Sequence, residues 1–106
     1  MATYIPPAGV REAAQRALDW ISEGRAGQGF TAVGRARARQ LAAGDAVSDD
    51  TIRRMRSYFA RHEVDRRATG FSGGETGYPS AGRVAWDAWG GDAGRRWAND
   101  VKLAGE

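Results

Sequence analysis

Ala38-Arg39-Gln40-Leu41-Ala42-Ala43-Gly44-Asp45-Ala46-Val47-Ser48-Asp49-Asp50-Thr51-Ile52-Arg53-Arg54-Met55 is the stretch on which the fold turns. Gly44 interrupts it, because glycine enters the left-handed conformation that ends a helix without a steric penalty. Ser48 then offers a hydroxyl to the free amides of a new helix, and Asp49 and Asp50 suit that helix's positive end. Leu41 and Ala42 before the turn, and Ile52 and Met55 after it, recur at helical spacing. The stretch therefore predicts two helices joined by a sharp turn. Ala42 is the small residue where their backbones approach, and Val47 is the apolar residue of the turn.

Working outward, the first of these helices extends back to about Thr31, with Val33, Ala38, Leu41 and Ala42 on or near its inner face. The second continues through Phe59 and His62, which prolong the Ile52–Met55 stripe, and its last turns carry Arg61, Arg66 and Arg67. Upstream, residues 1–8 read as an extended lead-in that ends at Pro6-Pro7. A helix follows with Val10, Ala13, Ala14, Ala17, Leu18 and Ile21 on one face, closed by Ser22-Glu23-Gly24 before a Gly-rich loop over 24–29. Downstream, residues 68–79 are too rich in glycine for a helix or a packed strand and read as a flexible loop that orders on a partner. Pro79-Ser80 opens a fourth helix with Val84, Ala85, Trp86, Ala88 and Trp89. Gly90-Gly91 breaks it, and Asp92 caps a last helix bearing Trp97 and Val101. No segment alternates with a period of two, and no internal repeat is present. The expectation is one all-α domain over 1–106, a compact bundle of four to five short helices.

The 106 residues are 42% hydrophobic, yet twenty of them are Ala and only twelve are Val, Ile or Leu. Such a core is thin and needs its four Trp to fill it. No apolar run is long enough for a membrane span, and the amino terminus lacks the basic start and apolar stretch of a secretory signal. With no Cys and one His, thiolate and multi-His metal sites are excluded, and no cofactor is implied. His62, near Glu63 and Asp65, shares its face with Met55 and Phe59 and reads as a packed or half-buried structural histidine. The Gly70–Gly77 run lacks both the Gly-Lys-Ser/Thr ending and the preceding strand of a phosphate loop. The expected protein is not an enzyme, and no catalytic or metal-binding residue is assigned.

The formal charge of +3 is unevenly spread. Residues 25–67 hold ten Arg against five acids, whereas the segments on either side each sum to −1. All cations but Lys102 are Arg, whose flat donor fork suits phosphates and guanine edges. A GC-rich genome also favours Arg over Lys, but it does not explain the clustering. The central segment resembles the DNA-binding helix-turn-helix, with Leu41-Ala42, a turn, Val47-Ser48 and Thr51-Ile52 in its familiar places. That resemblance implies a recognition helix starting after Ser48, with Asp49, Asp50, Arg53 and Arg54 near a groove, Arg56 on the same helix, and Arg35, Arg37 and Arg39 available to the backbone. Asp45 departs from the motif, which has an apolar residue there, and the turn glycine stands at Gly44 rather than at position 46. Two ordinary core helices joined by a tight turn are the alternative.

Three Trp in twelve residues, Trp86, Trp89 and Trp97, are either core or a stacking platform for bases or a protein partner. Residues 33–41, 51–63 and the 86–97 block, with Pro79-Ser80 before it, resemble a group of small, mostly uncharacterised proteins of tailed bacteriophages, over residues 6–100. The resemblance implies a viral setting, in the virion or the infected bacterial cytoplasm, and no particular chemistry. Two readings follow. The first is a non-catalytic phage protein that binds DNA through Arg35, Arg37, Arg39, Arg53, Arg54 and Arg56. The second is a virion structural or interaction protein, including a host-factor inhibitor, that holds a phage or host partner through Trp86, Trp89 and Trp97.

Overall fold

A computed structural model describes residues 2–27, 30–103 and 106. Gln28 and Gly29, part of the loop expected over 24–29, lie outside the described residues, as do Met1, Ala104 and Gly105. The chain is all-α, with five helices among the described residues: α1 (Ala8–Ser22), α2 (Ala32–Ala43), α3 (Asp49–His62), α4 (Ala81–Ala88) and α5 (Gly91–Asp100). One small sheet accompanies them. β1 (Thr3–Tyr4) pairs antiparallel with β2 (Val47–Ser48), Thr3 opposite Ser48 and Tyr4 opposite Val47. Two residues per strand are too few for the alternation by which strands are read from sequence.

The helix boundaries follow local chemistry. Thr31 Oγ1 accepts from the Gly34 amide at 3.0 Å, Ser48 Oγ from Thr51 at 3.3 Å, and Ser80 Oγ from Arg83 at 3.1 Å. Gly44 ends α2 with φ 75°. Two expectations are corrected. α3 stops at His62, and Arg66 and Arg67 belong to a 3-10 turn over Glu63–Arg67. Asp92 does not cap α5, whose N-cap is Gly90 at φ 110°; its Oδ1 instead accepts from the Trp86 indole at 3.0 Å.

α1 runs against α2, α4 and α5, and α3 packs chiefly on α5. Val10, Leu41, Val47, Ile52, Met55, Phe59 and Trp86 form the main core, with Leu103 closing its far end. Val33, expected near the inner face of α2, is 55% exposed. Residues 68–79 form successive turns bound by Phe71 N to Ala68 O, Glu75 N to Ser72 O and Ser80 N to Gly70 O. Phe71 is buried there, and the Arg83 guanidinium donates to its carbonyl at 3.0 Å while lying over the Phe71 and Tyr78 rings. The loop thus packs on its own chain.

Beneath α1 and α4 sits a charged group that hydropathy did not single out. Asp87, 1% exposed, accepts from Arg16 at 2.8 Å and Arg83 at 3.3 Å. Burial raises its carboxyl above the ordinary range, and the two guanidinium groups oppose that rise.

Candidate nucleic-acid interface

α2 and α3 part after their shared turn, because α2 follows α1 and α4 whereas α3 follows α5. Ala42 packs half-buried against the main core. The space between the diverging helices is an open groove of about 350 Å³ lined by Val33, Arg53, Arg54, Ser57, Arg61 and Trp89. It adjoins a larger cavity of about 550 Å³, and the two share Val33, Arg61 and Trp89.

Helical steps of about 100° decide which arginines face this groove. Arg53, Arg54 and Arg61 line it, and no carboxylate pairs with Arg53 or Arg61 among the described residues. Arg54 donates to Asp50 at 2.8 Å in a pair that is 62% and 70% exposed. Such a surface pair is worth about 0–1 kcal/mol, so an incoming phosphate can displace it.

Arg37 is a held charge rather than a free one. Its guanidinium donates to Gln40 and, at 3.4 Å, to Thr51, and lies 5.3 Å from the Trp89 ring centroid. Burial, helped by neighbouring Arg54, pushes its pKa down, and its Nε is buried without a partner among the described residues. Arg35 and Arg39 are exposed. One turn apart, they stand on the side of α2 away from Val33 and Arg37.

Arg56 is corrected outright as a nucleic-acid contact. It faces the chain end, donating to Ala98 O at 2.7 Å, to Val101 O at 2.6 Å and to Glu106 at 2.5 Å. One guanidinium thereby closes α3 onto the end of α5. Two carbonyls and a carboxylate take up most of its five N–H donors and leave little for a phosphate.

The tryptophans separate in the same way. Trp86 is 1% exposed and packs edge-on against Phe59 and Phe71, so its place on a partner-binding surface is corrected: it is core. Trp97 is partly buried against the same core. Trp89 is half-buried at the groove floor and heads a stack of rings. Tyr58 lies parallel to it at 4.9 Å and 8°, and His62 stacks on Tyr58 at 4.5 Å and 25°. His62 Nδ1 stands 3.1 Å from Asp65 Oδ2, which fits the structural role expected of it.

Arg61, Tyr58 and Asp65 were missed as site residues. The signal was present for two of them, since Arg54, Tyr58 and Arg61 recur at i, i+4 and i+7 along one stripe of α3. Among the described residues no group of three or more acidic or histidine side chains could hold a metal ion, and no helix is long and apolar enough to cross a membrane. Comparison with protein-family models, curated proteins and solved structures finds no match to this chain.

Proposed function

We propose that this protein is a non-catalytic nucleic-acid-binding protein of a tailed bacteriophage, active in the infected cytoplasm or the particle. In this reading the groove between α2 and α3 takes the phosphate chain. The observation that carries it is the convergence of Arg53, Arg54 and Arg61 around Trp89 in one opening. Guanidinium groups beside an aromatic side chain are the combination that holds a phosphate backbone and its bases together. Relative to a helix-turn-helix, the contact moves from the first turn of α3, where Asp49 and Asp50 repel phosphates, into the angle between the helices. Arg35 and Arg39 extend the positive field along the outer face of α2 and steer an approaching polyanion. The competing protein-partner reading is weakened because Trp86 is interior and Trp89 is already stacked.

Titration of single-stranded and duplex DNA at several salt concentrations tests the proposal. Affinity is expected to fall linearly on a log–log plot, and the Arg53→Ala/Arg54→Ala double variant to flatten the slope by about 1.4–1.8. Binding that is absent or insensitive to salt overturns it.

A further inference from the structure

We infer that the cavity beside the groove seats one unpaired nucleobase, so that the ligand is a nucleotide whose base is free of a duplex. The inference rests on the nucleic-acid reading and specifies its ligand. Four observations lead to it. The cavity, about 550 Å³, is several times the size of a base and opens beside the arginine-lined groove through Arg61 and Trp89. Its walls are flat or small: Phe30 and Trp89 supply ring surface, while Ala81, Gly82 and Ala85 leave room. Its polar groups are few and of both kinds. Asp65 accepts, and it already receives His62 at 3.1 Å, leaving its other oxygen for an exocyclic amino group. Arg61, on its rim, donates.

A base offers amino groups to Asp65, and ring nitrogens and carbonyl oxygens to Arg61. An apolar peptide would fill the walls but leave the second Asp65 oxygen and the arginine rim without partners. A duplex cannot present a base to this depth unless the base leaves the stack. The cavity and the rim together therefore match a base and its phosphate, supplied either by a single strand or by a free nucleotide.

Ala81 is exposed at the start of α4 and lines the cavity, so Ala81→Phe fills it from the surface with little demand on the core. Four probes distinguish the possibilities: a single-stranded oligonucleotide, its duplex, an abasic strand of equal length, and a mononucleotide. The intact strand is expected to bind about ten-fold more tightly than the abasic one. Ala81→Phe should abolish that difference without changing the salt slope, whereas Arg61→Ala should lower the slope by about 0.7. Phe30→Ala, which removes a wall, should weaken the intact strand alone. Equal binding of intact and abasic strands, or of strand and duplex, overturns the base site and leaves the nucleic-acid reading standing. Mononucleotide binding with no gain from a strand keeps the base site and overturns that reading. No binding by any probe overturns both.

Discussion

Arg53 and Arg56 differ by three positions, and that spacing separates a free charge from a structural clamp. Arg56→Ala removes charged hydrogen bonds to two carbonyls and a carboxylate at once. It should cost roughly 2–3 kcal/mol in urea unfolding while leaving DNA affinity unchanged. Glu106, on the other side of the clamp, has its carboxyl drawn down to about 2 from 4.5 by Arg56 and then by the Leu103 amide. A depressed carboxyl stabilises the fold only while it is ionised in the folded chain and would be so in the unfolded one. The difference in melting temperature between wild type and Glu106→Gln should therefore be full above pH 4.5 and vanish as the pH falls to about 2. A difference that persists in acid would mean that Glu106 acts through packing rather than charge.

At the scale of elements, the glycines of the corner between α4 and α5 do different work from those of the loop over 68–79. A Cβ on Gly94 would stand 2.8 Å from the Trp89 carbonyl oxygen, backbone that cannot move aside, whereas a Cβ on Gly73 meets nothing within 4 Å. Gly94→Ala should thus destabilise by about 2 kcal/mol and Gly73→Ala by nothing, with a gain of up to about 0.5–1 kcal/mol if its backbone is compatible. Thermal unfolding of the two variants side by side checks the contrast. Sequence foretold the helices this corner joins and the break between them, since caps and glycine stops act within a few residues. It did not foretell that Asp92 would serve the Trp86 indole instead of a helix end. That choice depends on where a ring six residues earlier is held by Phe59 and Phe71.

Across the whole molecule, charge that is clustered in sequence is only partly clustered in space. Of the six arginines first assigned, Arg53 and Arg54 reach the groove, Arg37 is held over the Trp89 ring, Arg35 and Arg39 lie on the outer face of α2, and Arg56 is sequestered. Arg61 joins them from a position that read only as a helix-end charge. The salt slope of the wild type should accordingly report about three close contacts and not the ten arginines of residues 25–67. A wild-type slope steeper than about −5 would show that the outer face of α2 binds phosphate directly rather than steering it.

The all-α architecture, most of the helix ends and the central basic excess were legible in the chain, because periodicity, capping and composition are local properties. Asp87 between two arginines, the Trp89–Tyr58–His62 stack and the cavity beside it were not. The first depends on α1 meeting α4, and the other two on where α2, α3 and α4 come together, so residues far apart in sequence are brought together by packing that no local pattern encodes.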